Sequence, residues 1–260
     1  MEFRESFTYS INPSLSAGSG TVFQNTNLKI LNYDFDFRRT IHTATSNLIY
    51  KKIFDAQTGR YLFKSYDDLR SVSGVALSGI TSYGFTPYNW PVAYRASANS
   101  DMTIMLADFS GAPNTLYLSY HGDNILKSAP LDMRGEPVDY QARRVRIPIV
   151  YESSTITESG TLNGKAQGVI KIDNDSDFVC TRITATSTGA GLILIQDTQR
   201  QLYWMDTPAH IANYVGNGQF PNVLTSPRFV GVNTNILITF TNLTGVANTL
   251  ILYLHGYKRF

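Results

Sequence analysis

Short runs of alternating apolar and polar residues, closed by Gly, Asn, Asp or Ser, dominate the second half of the chain. RVRIPIVYE (144–152) puts Val145, Ile147 and Ile149 on one face, and its Pro148 fits an edge strand or a bend. GVIKI (168–172), FVCTRITAT (178–186), LILIQD (192–197), NILITFTNL (235–243) and NTLILYLHG (248–256) follow. Each is rich in β-branched or aromatic residues, the pattern of a half-buried or buried strand. Thr244-Gly245-Val246-Ala247 separates the last two, so they read as a hairpin or a tight sheet-to-sheet turn. Helical signal is sparse. The two candidates are residues 65–70 and 207–214, the second with Thr207 as cap and Pro208 at the first helical position.

The pattern occurs twice. Residues 87–122 laid on 221–256, with no gaps, match at ten of 36 positions. The matches include Asn99/Asn233, Ile104/Ile238, Gly111/Gly245, Asn114/Asn248, His121/His255 and Gly122/Gly256. Upstream, Lys29-Ile30 faces Lys171-Ile172, Asp36-Phe37 faces Asp177-Phe178, Thr43–Ser46 faces Thr184–Ser187, and Asp55 faces Asp197. A period this long means whole domains in tandem rather than a solenoid. The expected division is a first β-sandwich over 1–126, a linker over 127–141 with Pro130, Gly135 and Pro137, and a second sandwich over 142–260. The fold class is therefore all-β, two tandem, internally duplicated antiparallel sandwiches. The jelly-roll type is favoured because a long mid-domain excursion would cross between sheets. Between Asp55 and Pro87 the first copy is longer by eight residues, and the Gly/Ser-rich stretch 71–83 accounts for much of that.

Composition narrows the function classes. Of 260 residues only 16% are charged, and the net charge is +2, which provides no strong field for nucleic acid or an anionic membrane. No apolar run approaches a membrane span, and the N-terminus carries no signal-peptide pattern. One cysteine, Cys180, excludes an intrachain disulfide and reads as a small buried residue.

Candidate chemistry is thin. Asp173, Asp175 and Asp177 open like an EF-hand loop, but Phe178 and Thr184 stand where Gly and Glu are needed, so an Asx-rich turn is the simpler reading. His121 and His255 are the histidines kept in both copies, each before a glycine and without a nucleophile or acid motif beside it. They read as strand-end histidines bonded to backbone. No catalytic residue, metal or cofactor is expected. Arg143, Arg144 and Arg146 read as charge guarding a strand edge. Asn174 and Asn242 sit in glycosylation sequons that matter only on a secretory route. Aromatic clusters supply the interface candidates Tyr83, Phe85, Tyr88, Trp90, Tyr203, Trp204, Tyr257 and Phe260. The same rings could stack sugars in a carbohydrate- or receptor-binding module, the rival function.

The finish NTLILYLHGYKRF and the run PNVLTSPRFVGVNTNILITFTNLTG (221–245) resemble small β-rich structural virion proteins of tailed bacteriophages. The resemblance covers the second copy best, since the first has Asp123-Asn124 where Tyr257-Lys258 stand. It implies a non-enzymatic capsid, capsid-associated or head-to-tail component, made in the host cytoplasm and residing in the virion. Its partners would be copies of itself and other virion proteins, with no small-molecule substrate. A double-jelly-roll capsid protein forming trimers is one specific version.

Overall fold

The computed structural model describes residues 3–15, 22–44, 49–62, 67–68, 74–75, 77–78, 83–84, 87–128, 146–217 and 219–259. In the first half the strands are β1 (Phe3–Ile11), β2 (Ser14–Leu15), β3 (Val22–Lys29), β4 (Asp34–Ala44), β5 (Ile49–Asp55), β6 (Arg60–Tyr61), β7 (Asp67–Asp68), β8 (Gly74–Val75), β9 (Leu77–Ser78), β10 (Tyr83–Gly84), β11 (Tyr88–Ala96), β12 (Asp101–Asp108) and β13 (Asn114–Leu126). The second half has β14 (Arg146–Glu152), β15 (Ile156–Glu158), β16 (Lys165–Lys171), β17 (Asp177–Ser187), β18 (Gly191–Asp197), β19 (Leu202–Tyr203), β20 (Ala209–His210), helix α1 (Ile211–Tyr214), β21 (Asn222–Val230), β22 (Asn235–Asn242) and β23 (Asn248–Arg259).

Each half folds two sheets over one core. The first pairs β1-β13-β4-β11 against β3-β12-β5-β6, and the second pairs β14-β23-β17-β21 against β16-β22-β18-β19. The orders correspond strand for strand, and the chain changes sheet at most connections. This is the winding of a jelly roll, present twice. The excursion after β6 and after β19 crosses from one sheet to the other, as expected of a long mid-domain connection. The turn at 244–247 likewise joins strands of different sheets.

The alternation of the sequence is the alternation of burial. In β22, Ile236, Ile238 and Phe240 face inward and are fully buried, while the residues between them are less covered. Tyr9 packs edge-on to Phe35 at 4.8 Å, and Tyr151 packs edge-on to Phe178 at 4.9 Å. Such pairs add about 1 kcal/mol beyond the area they bury. The hydroxyl of each tyrosine also accepts a backbone N–H, from Leu31 at 2.8 Å and from Asp173 at 3.4 Å.

Most of the repeated identities have a structural cause. Asn99 and Asn233 both adopt left-handed backbone, φ 60° and 57°, which asparagine tolerates better than most residues. Gly122 and Gly256 lie at matching β-bulges, where an added Cβ would collide with the carbonyl oxygens of Asp36 and Val179 on the neighbouring strand. The His-Gly pair is thus retained because two backbones approach too closely for a side chain.

Three expectations need correction. By register, Phe35 matches Phe178 and Arg39 matches Arg182, so the pairing of Asp36-Phe37 with Asp177-Phe178, and of Thr43–Ser46 with Thr184–Ser187, is two residues out. Low-identity polar segments offer no anchor against such a slip. The second helix starts later than predicted. It spans only Ile211–Tyr214 with His210 as its cap, because the Thr207 hydroxyl donates to the Ser10 carbonyl instead. Asp67–Asp68 pairs with β5 as a short strand rather than lying in a helix, with the rest of 65–70 outside the described residues.

Candidate interaction surfaces

The two halves meet through the outer face and edge of the first sheet. β1 turns Phe7, Tyr9 and Ile11 inward and Ser6, Thr8 and Ser10 outward, yet all six are buried. The second half covers them. Met205 forms a parallel bridge to Thr8, the Asp206 N–H donates to the Thr8 carbonyl at 3.1 Å, and the Ser10 N–H donates to the Asp206 carboxylate at 2.8 Å. The Thr207 hydroxyl donates to the Ser10 carbonyl at 2.9 Å, and Arg228 donates to the Ser6 carbonyl at 2.6 Å. An edge strand left bare would template pairing with other chains, so this cover has a physical reason. The Ile41 side chain, on the same outer face, belongs to the apolar cluster of the second half.

Charged and polar groups fix the register of this junction. Glu5 and Arg228 are each 3% exposed. Arg200 donates to Glu5 at 2.9 Å, the Arg228 Nε lies 3.8 Å from it, and the Arg228 guanidinium sits 5.0 Å from the Trp204 ring centre. His121 Nε2 donates to the Asn213 carbonyl at 2.8 Å, which leaves Nδ1 to accept from the Thr8 hydroxyl at 2.9 Å. Burial, with Arg39 nearby, holds the His121 pKa down at about 3, so the ring is neutral. Burial pushes the Asp206 carboxyl up to about 7 against the hydrogen bonds that favour its charge. His210, its ring tilted against Tyr117 at 4.8 Å, is held down at about 4 by desolvation.

The equivalent edge of the second half has no cover among the described residues. Among the described residues nothing pairs with the outer edge of β14, and Ile147 and Val150 are 48% and 51% exposed. Pro148 takes the place of Ser6 there, removing one outward N–H while keeping the carbonyl, the group that Ser6 uses at the junction. The outer faces also differ. The first carries Asp36 held by Arg4 at 2.5 Å and Arg95 at 2.8 Å, with Asp123 held by Arg38 at 2.6 Å. The second carries the apolar trio Val179, Phe229 and Tyr257, with Arg146 over the Tyr257 ring at 5.0 Å.

A groove opens between β11 and β21. Arg38, Arg39, Asn89, Trp90 and Thr225 line a cavity of about 290 Å3. The Trp90 indole lies parallel to Phe37 at 5.7 Å and donates to Thr40 at 2.6 Å. A second cavity of about 220 Å3 lies beside β1, against Tyr33, Tyr203, Arg200 and Asp206.

The aromatic candidates divide. Tyr203 is 46% exposed, while Tyr88, Trp90 and Tyr257 are half-buried. Trp204 does not fit a surface role, because it is 1% exposed in the core beneath Arg228. Phe85 and Phe260 lie outside the described residues, as does the side chain of Tyr83. Asp173 and Asp175 close on Lys258 at 2.7 and 2.8 Å, so an ammonium stands between them. Asp177 points elsewhere and accepts the Val232 N–H at 3.0 Å. Among the described residues no three His, Cys, Asp or Glu side chains could share a metal ion. Asn242 is fully buried and bonded to Glu158, which leaves no room for a glycan. His255 accepts from or donates to the Thr184 hydroxyl at 2.8 Å, not to backbone as expected. Cys180 is buried, as its setting implied.

The junction residues Glu5, Thr8 and Arg228 were missed. The signal lay in the contrast between the halves, where Ser6 and Thr8 oppose Pro148 and Val150.

No protein-family model matches the chain, and no curated protein does. Among solved structures it is similar to a chain in the atomic structure of Sulfolobus Turreted Icosahedral Virus. The TM-score is 0.26 and the identity 9%, over 95% of this chain and 59% of that one. The chain thus spans about 59% of the length of that relative, and a likeness so slight carries no argument. Among the described residues no helix is long and apolar enough to cross a membrane.

Proposed function

We propose that this chain is a non-enzymatic structural protein of a virion, of the bacteriophage capsid, capsid-associated or head-to-tail kind. It assembles with copies of itself and with other virion proteins through the surfaces of its sandwiches. In this reading residues 1–126 and 142–260 are the two building units and 127–141 the connection. The jelly roll is a fold of viral capsid domains, though also of lectins and cupins. The observation that carries the assembly reading is the asymmetry of two equivalent edges. The β1 edge is covered from within the chain, and the β14 edge has no cover among the described residues. A second copy covers β14 much as Met205–Pro208 covers β1. Head-to-tail contacts of this type close into rings where the rotation permits.

Light scattering on the purified chain, followed by electron microscopy, tests this. The expected result is a closed oligomer or a larger particle. A chain that stays monomeric at high concentration, and forms no particle with its virion neighbours, would sink the proposal.

A further inference from the structure

We propose that the groove between β11 and β21 is a binding site for a carboxylated sugar. Three observations converge on it. First, two guanidinium groups face one small cavity with most of their donors unspent. Arg38 donates through Nε to Asp123 at 2.6 Å, and Arg39 donates through one Nη to the Val223 carbonyl at 2.7 Å. Each guanidinium has five N–H groups in a planar fork suited to a carboxylate. The bulge opposite His121-Gly122 is what places these two consecutive arginines here.

Second, the wall of the groove is a preorganised aromatic. One face of Trp90 rests against Phe37 and its N–H is fixed by Thr40, so its position is set before any ligand arrives. Pro91 and Ala93 extend that apolar wall, and a further apolar cavity of about 380 Å3 lies on the other side of Trp90. Asn89 and the Thr225 hydroxyl add polar groups for sugar hydroxyls. The lining as a whole is more polar than apolar, with Trp90 as its aromatic surface, a composition that suits a hydroxyl-rich ligand.

Third, the fold does not require this set. Arg39 is matched by Arg182, but at the other positions the second half has Thr181 for Arg38, Val223 for Asn89 and Leu224 for Trp90. The same bulge and strands form without them. The presence of Arg38, Asn89 and Trp90 in one half alone points to a task beyond folding. A polyanion such as nucleic acid is disfavoured, because the basic pair is local, flanked by Asp36 and Asp123, in a chain of net charge +2.

The test uses the full purified chain, with saturation-transfer NMR and calorimetry. The probes are sialyllactose, a glucuronate-containing disaccharide, lactose and inorganic phosphate. Either acidic sugar should bind at least about tenfold more tightly than lactose, and which one does identifies the source of the carboxylate. Arg39→Gln and Trp90→Phe should each weaken binding by about tenfold or more. Asn89→Ala, which disturbs no ion pair or packed ring, should weaken it by a smaller factor and protects the test against a folding artefact. The proposal fails if neither acidic sugar binds at millimolar concentration, if lactose binds equally well, or if phosphate competes as strongly as the acidic sugar. The readout concerns a single chain and does not depend on assembly.

Discussion

The outward faces of the first and second sheets begin from the same strands and end in opposite chemistry. Where the first has Asp36, Arg95 and Asp123 in a network of ion pairs, the second has Val179, Phe229 and Tyr257 in apolar contact. The inward faces keep an apolar character, with Tyr9 and Phe35 answering Tyr151 and Phe178 and with Cys180 and Leu254 in place of Phe37 and Tyr120. A jelly roll therefore constrains its interior and its tight turns, and leaves its exterior free to specialise. One exterior became a junction and a charged groove, and the other kept an edge that nothing among the described residues covers.

The sharpest way to break the claim of equivalence is at the two bulge glycines. Gly122→Ala and Gly256→Ala both drive a Cβ into a neighbouring carbonyl. Each should cost about 3 kcal/mol, measured by urea unfolding. A large loss in one half and none in the other would mean that the bulges are not the same device.

The next comparison is Arg228 against Tyr94, which occupy matching positions on β21 and β11. Arg228 is buried with Glu5 at the junction, so Arg228→Met strands a carboxylate still partly held by Arg200. About 3 kcal/mol should be lost. Tyr94 donates its hydroxyl to Asp55 within its own half, and Tyr94→Phe should cost about 1 kcal/mol. Equal losses would deny that the junction is the more tightly specified of the two.

Acid should separate the two repeated histidines. The folded pKa of His121 is depressed from 6.5 to about 3, so the unfolded chain binds a proton that the folded chain refuses. Its contribution is present above 6.5 and is lost as pH falls from there toward about 3. His255 is only half-buried, its pKa is lowered by desolvation and Arg182, and its influence should be smaller. Asp206 runs the other way. Its folded pKa is raised from 3.8 to about 7, so its contribution is full below 3.8 and fades as pH rises through about 7. In urea melts from pH 4 to 8, His121→Gln should flatten the acid limb, and His255→Gln should barely change it. Asp206→Asn should remove the decline toward neutral pH.

What could be read in advance follows the same division. Alternation in NILITFTNL and NTLILYLHG identified β22 and β23 because each has one wet and one dry face. The repeated His-Gly marked a real constraint, although the reason, a carbonyl pressed against the glycine, needed three dimensions. The junction was illegible for a specific reason. Ser6, Thr8 and Ser10 are the polar half of an alternating strand, which signals solvent, and only the other sandwich turns that solvent face into an interior. Trp204 misled in the opposite sense, since a lone tryptophan beside a tyrosine reads as an interface anchor while an arginine from a distant strand roofs it. Arg38-Arg39 gave no warning, because a bulge is needed to bring both side chains into one groove.

The smallest effect on stability belongs to the β14 edge, and it distinguishes folding from assembly most cleanly. Val150 is exposed on β14, and its counterpart on β1, Thr8, is buried against His121 and bridged to Met205. A lysine on an open edge blocks pairing with another chain and costs the fold little. Val150→Lys should therefore shift the unfolding free energy by less than about 0.5 kcal/mol, the range of ordinary surface changes. It should nonetheless reduce self-association seen by light scattering. Thr8→Lys places the same charge inside the junction, and there the fold itself should weaken. If Val150→Lys associates as the parent chain does, β14 is not the assembling edge.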